Sequence, residues 1–303
     1  MRCAIRPILL FFIFILAGTP IASNPKAIGI SNPLFPIRER DKWGFIERNG
    51  KVVILPMFDN IRGVGPMDTD NIWHGPVVPF SENLICVEVG DKWGYIERTG
   101  KFVVAPQFED AFGFSEGLAG VAVNGKWGFI DSSGKFVIPP QFYAVSWFSE
   151  GVAGVKDKYD GPVHYIDRSG KRAFRGDFST GRAFSEGLAV VFTDSGAGYI
   201  NHVGKVVIDP KFSGASSFSE GFAIVYKENA NDRSPPEFID KKGNPAFAAK
   251  FNYMLGFSEG LAAVRTSEGW GYIDHTGRFV IEPQFDRATS FSDGLALVGK
   301  DWL

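Results

Sequence analysis

Asp68, Asp70 and His74 stand close together with Trp73 beside them, outside the pattern that the rest of the chain repeats. Two carboxylates and an imidazole on one loop could ligate a cation, and an aromatic face next to them suits a polar ligand. The other histidines, His164, His202 and His275, are isolated. Neither H-x-x-x-H nor C-x-x-C occurs, so the sequence predicts no metal centre. No phosphate-cradling G-x-x-x-x-G-K-[ST], no G-x-G-x-x-G after a strand and no G-x-S-x-G elbow is present, and no cofactor is expected. Cys86 lies in the apolar run Leu84-Ile85-Cys86-Val87 without an activating partner and reads as a small buried hydrophobe.

Most remaining carboxylates recur. F-S-E-G or a near copy begins at Phe80, Phe114, Phe148, Phe184, Phe218, Phe257 and Phe291, at intervals of 34, 34, 36, 34, 39 and 34 residues. A second phrase, aromatic-Ile-acid-x-x-Gly-Lys, centres on Ile46, Ile96, Ile130, Ile166, Ile200, Ile239 and Ile273. Its glycine is followed eight residues later by Phe58, Phe108, Phe142, Phe178, Phe212, Phe251 or Phe285. An acid that recurs from copy to copy, such as Glu116 or Asp131, serves the copy, and a turn-forming role is expected in place of acid–base catalysis.

The whole unit reads F-S-E-G-L-A-x-V, a short turn, W-G-[FY]-I-[DE]-x-x-G-K-x-V-I-x-P-x-F. It resembles the WG repeat family, named for its Trp-Gly pair, from about Leu34 to the C-terminus. The pair stands at Trp43-Gly44, Trp93-Gly94, Trp127-Gly128 and Trp270-Gly271, whereas Val163-His164, Ala197-Gly198 and Pro236-Glu237 take its place in three copies. The resemblance implies an architecture and no settled activity.

No stretch after the N-terminal segment sustains helical periodicity without glycine or proline, while short runs rich in aromatic and β-branched residues alternate with turn residues. The expected fold is all-β: seven tandem three-stranded β-meander repeats of about 34 residues. These form either a curved solenoid-like array or a closed propeller-like ring. One meander cannot bury its apolar face alone, so neighbours must share a core. Phe114, Phe148, Phe184, Phe218, Phe257 and Phe291, with Trp43, Trp93, Trp127 and Trp270, are the expected structural positions. Gly294-Leu295-Ala296-Leu297-Val298 is a surplus strand, a cap in an array or the closing partner of the first repeat in a ring.

Departures from the unit are the expected binding sites. The longest is an insertion over residues 62–79, which holds Asp68, Asp70, Trp73 and His74. A turn from Lys156 to Pro162 carries Lys158, Tyr159 and Asp160, and another runs from Lys227 to Pro235.

At the N-terminus, Arg2 and Arg6 precede the apolar block Ile8 to Leu16 and then small residues, which reads as a signal peptide over 1–23, followed by a linker over 24–33 and the repeat domain over 34–303. The expected product is exported, to a periplasm, a cell surface or the medium, with no stable membrane insertion after cleavage. Lys and Arg number 32 against 34 Asp and Glu, which disfavours nucleic acid as a partner. The sequence therefore predicts a non-catalytic scaffold for a protein or glycan ligand. A glycan hydrolase using carboxylates in or near the 62–79 insertion is the alternative.

Overall fold

The computed structural model describes residues 34–62, 82–227, 234–248, 250–292 and 294–300, together with the backbone of 12–16. The chain divides into two compact units, one of Lys26–Asp194 and Ile200–Lys205, the other of Met1–Pro25, Ser195–Tyr199 and Val206–Leu303. Every regular element among the described residues is a strand, and no helix is long and apolar enough to cross a membrane.

Each repeat builds a blade-like antiparallel sheet. In the second, Leu84–Val89 pairs with Lys92–Glu97, and that strand pairs with Phe102–Phe108. Gly90 and Asp91 join the first two strands with φ of 56° and 62°, the double positive-φ turn whose twist suits a hairpin. The next connection closes through Gly100 N–H donating to the Glu97 carbonyl at 2.9 Å. In the third repeat Asp131 Oδ1 accepts from the amides of Ser133 at 2.9 Å and Lys135 at 3.1 Å. This is the local bond that makes aspartate a turn former.

A further short strand, absent from the sequence expectation, extends most sheets. The segment after the third strand's phenylalanine crosses over to pair with the next sheet, as Asp110–Ala111 does with Ala119–Val123 and Arg287–Ala288 with Leu295–Gly299. Two residues are too few to show any periodicity. The surplus strand Leu295–Gly299 also pairs along its whole length with Phe12–Leu16, inside the segment read as a signal peptide.

The core is shared between neighbours. Leu34, Phe45, Ile54 and Phe58 of the first repeat cluster with Ile85, Val87 and Ile96 of the second. Leu118, Phe129 and Ile138 of the third cluster with Phe148, Val155 and Ile166 of the fourth. Phe114, Phe148, Phe184, Phe218, Phe257 and Phe291 are all buried, as is Trp93. Trp43, Trp127 and Trp270 are half-buried against their clusters.

The F-S-E-G turns fasten one repeat to the next. Ser115 Oγ donates to the Phe148 carbonyl at 2.7 Å, and Ser149 Oγ to that of Phe184 at 2.7 Å. In the opposite sense, the Glu116 carboxylate accepts from the amides of Glu150 at 2.6 Å and Gly151 at 2.9 Å. Glu82 does the same for Gly117 and Glu150 for Gly187. In the second unit Ser219 with Phe257, Glu220 with Gly260 and Glu259 with Gly294 repeat the pattern. Each such glutamate described sits at φ of 52–56°. Glu116 and its equivalents are therefore committed to turns.

Candidate binding pocket in the fourth repeat

The glycine of the Trp-Gly pair explains where a site can open. A Cβ on Gly94 would stand 2.6 Å from the Val104 carbonyl oxygen and 2.7 Å from the Pro106 nitrogen. Gly44, Gly128, Gly198 and Gly271 meet the same backbone at 2.5–2.8 Å. The third strand bulges at this point: Trp93 and Tyr95, two apart, face Phe108 and Val104, four apart. The bulge folds main chain into the volume a side chain would need.

His164 occupies that position in the fourth repeat and Glu237 in the sixth. Both repeats lack the regular third strand. Past Val163–Asp167 the chain is held only by isolated bridges from Ile166 to Arg172 and from Val163 to Phe178. The sixth repeat keeps one bridge of this kind, from Ile239 to Pro245. The fifth repeat, which loses the tryptophan but keeps Gly198, retains its strand Val206–Ala215. The regular third strand thus accompanies the glycine and not the tryptophan.

Where the strand is displaced beside His164, a cavity of about 400 Å³ opens, walled by Asp157, Lys158, Asp160, His164, Arg172 and Asp177. Three elements supply them: the turn after Val152–Lys156, the strand bearing His164, and the displaced segment. His164 is only 7% exposed, and its nearest charged neighbour, Asp157 Oδ2, stands 3.8 Å from Nδ1, beyond hydrogen-bond reach. Burial and the Arg172 guanidinium push its pKa below the ordinary value of about 6.5, against the opposing pull of Asp157 and Asp177, so the ring is neutral. Arg172 Nη1 donates to Asp177 Oδ1 at 2.7 Å and to the Gly176 carbonyl at 3.2 Å, which fixes the guanidinium. In the turn that carries Lys158 and Asp160, Tyr159 is 77% exposed and meets half-exposed Tyr143 edge to face, ring centroids 5.5 Å apart. The pocket thus offers both donors and acceptors, with an aromatic pair in and near the turn that supplies Lys158 and Asp160.

Of the binding candidates singled out in the sequence, Tyr159 lies in the turn that supplies Lys158 and Asp160, beside the pocket and not in its wall. Trp73, His74, Asp68 and Asp70 lie outside the described residues. Asp157, His164, Arg172 and Asp177 did not stand out as site residues. The signal that pointed to them was the Val163-His164 break in the Trp-Gly pair. Among the described residues no group of three or more His, Cys, Asp and Glu is disposed to hold a metal ion.

At the base of the 62–79 insertion, Arg62 turns inward. Its guanidinium lies 4.3 Å from the Trp93 ring centroid, pairs with Asp110 and donates to the Ala111 carbonyl at 2.8 Å, while Nε has no partner. Beside it Cys86 is fully buried, and burial pushes its thiol pKa far up. This matches the reading of an inert hydrophobe.

A model of the WG containing repeat matches residues 43–64, 77–93, 93–127, 127–159, 198–229, 238–268 and 270–301, most of the chain. Solved structures of similar fold include a eukaryotic initiation factor, 10% identical, with a TM-score of 0.56 over 85% of this chain and 76% of that one. Another is the dihydro-heme d1 dehydrogenase NirN in complex with DHE, 12% identical, with a TM-score of 0.51 over 94% of this chain and 72% of that one. At such identities the likeness is one of fold. No curated protein matches the chain at a significant level.

Proposed function

Because the chain belongs to the WG-repeat family, and its recurring residues are committed to packing and turns, we propose that it is an exported, non-catalytic scaffold. It binds a protein or glycan ligand where the repeat is interrupted. The observation that carries this reading is the pocket beside His164, where one departure from the repeat exchanges a strand for a polar cavity. Repeat arrays commonly bind this way, with a shared core as support and the irregular copy as recognition surface. The near balance of basic and acidic residues supports a partner other than nucleic acid. Export rests on Arg2, Arg6 and the apolar block Ile8 to Leu16.

The test is a binding screen of the full chain against glycans and candidate surface proteins, beside two variants: residues 62–79 shortened to the repeat length, and Asp160→Ala. Loss of ligand by Asp160→Ala with the fold intact supports the pocket. Loss only on shortening moves the site to the insertion. Turnover of a glycan by the wild type refutes the scaffold reading. Mass spectrometry of the exported product checks cleavage near Ala22 or Ser23.

A further inference from the structure

We propose that the fourth-repeat pocket is a saccharide site which takes a neutral pyranose unit by its hydroxyls. This inference rests on the binding-scaffold reading and names its ligand class.

The cavity, at about 400 Å³, lies at the small end of the range for ligand pockets, roughly 300–1,000 Å³, fitting a sugar ring or two better than a peptide strand. Its polar groups are of both kinds. The carboxylates of Asp157, Asp160 and Asp177 accept, the Lys158 ammonium and Arg172 guanidinium donate, and neutral His164 does one of each. A free cation meets Arg172 and Lys158, and an anion meets three carboxylates, so neither finds a wall of one opposing charge. A ring of hydroxyls, each both donor and acceptor, meets groups of both kinds without carrying charge into the site.

His164 strengthens the case because its ring is more than nine-tenths buried and yet lines the cavity, with Asp157 Oδ2 3.8 Å from its Nδ1. At 3.8 Å its Nδ1 and Asp157 Oδ2 make no direct hydrogen bond, so a ligand hydroxyl can donate to the carboxylate while another meets the ring. Arg172 is already held by Asp177 and the Gly176 carbonyl, so it meets a hydroxyl without first losing rotamer freedom. Tyr159, exposed in the turn that supplies Lys158 and Asp160, and Tyr143 against it are within the same surface, where a sugar extending from the cavity would meet their rings.

The experiment is an array of neutral and acidic oligosaccharides probed with the full chain, followed by calorimetric titration of the best binder against Asp160→Asn, Tyr159→Ala and a control, Tyr253→Ala. Tyr253 is 61% exposed in the seventh repeat. Asp160 and Tyr159 are exposed as well, so all three variants are expected to fold. The expected result is binding of a neutral saccharide, a loss of about tenfold or more in both pocket variants, and no change in the control. Binding that survives both pocket variants overturns the site. A wild type that binds no neutral saccharide, or prefers acidic ones, overturns the ligand class while leaving the scaffold reading to the surface-protein arm of the screen. Release of reducing ends by the wild type overturns the scaffold reading itself.

Discussion

Replacing Gly94 by alanine adds one methyl group where the structure has no room for it. The new Cβ would stand 2.6 Å from the Val104 carbonyl oxygen, 2.7 Å from the Pro106 nitrogen and 2.9 Å from the Ala105 carbonyl carbon. All three are main-chain atoms, so no side chain can rotate away. Comfortable contact needs about 3.5 Å, and the strand Phe102–Phe108 must retreat by roughly 1 Å, loosening its pairing with Lys92–Glu97. Overpacking in a well-packed core costs about 1–3 kcal/mol, and a clash that backbone alone must relieve belongs at the upper end, about 3 kcal/mol. Gly90→Ala is the matched control: nothing lies within 4 Å of its added methyl, but its φ of 56° disfavours a side chain by about 1–2 kcal/mol. Urea unfolding followed by tryptophan fluorescence reads both variants from their midpoints at unchanged slope. Gly94→Ala is expected to lose about 1 kcal/mol or more beyond Gly90→Ala. A loss below about 0.5 kcal/mol for Gly94→Ala would refute the steric account of the Trp-Gly pair and, with it, the origin assigned to the pocket.

Arg62→Ala removes the bond to the Ala111 carbonyl and the stacking on Trp93; with the Asp110 pair discounted because that carboxylate is part-exposed, the cost is about 2 kcal/mol, accompanied by a change in Trp93 emission. Glu116→Ala strips the carboxylate from the amides of Glu150 and Gly151 and should cost about 1 kcal/mol in the same urea titration, whereas Glu116→Gln, which keeps one acceptor, should lose less. The Ser133, Ser169 and Thr276 hydroxyls hold the carboxyls of Asp131, Asp167 and Asp274 below the usual range. Depressed native values give stability that is full above the ordinary carboxylate pKa of about 4 and lost as pH falls through the native values. The triple Asp→Asn variant should flatten that acid limb while keeping the turns, because the fifth repeat already uses Asn201 to accept from the amides of Val203 and Lys205. Cys86 should resist alkylation until the protein unfolds, and labelling at the rate of a free thiol in native buffer would contradict its burial.

The spacing of F-S-E-G and of the aromatic-Ile-acid phrase was enough to read repeat number, strand content and the shared core, because a unit that cannot bury its own face must repeat its apolar residues in step. The hairpin turns were legible too, since Gly90-Asp91, Asn124-Gly125 and Asp131 carry their conformations in their residue types. The bond from Glu116 to Gly151 was not, because it joins residues 35 apart and nothing local requires it. The pocket was half legible. Val163-His164 was visible as a break in the pattern, but its effect depends on how closely Pro140 and its equivalents approach the glycine in intact repeats, a distance that residue order alone does not carry.

The F-S-E-G turns also bear on how a chain like this grows and shrinks. The turn at Ser115 carries half-joints of both kinds, a hydroxyl and a carboxylate that reach forward, as Ser115 does to Phe148 and Glu116 to Gly151, and an amide that donates backward, as Gly117 does to Glu82. A duplicated copy inserted in register brings one half-joint of each kind, and its neighbours already hold the complements. Gaining or losing a whole repeat therefore requires no new contact to be invented. Losing part of one strands a serine and a glutamate on one side, and a carbonyl and an amide on the other. Gene rearrangements that preserve the spacing from one F-S-E-G to the next should accordingly be tolerated, while the same length cut out of phase should not.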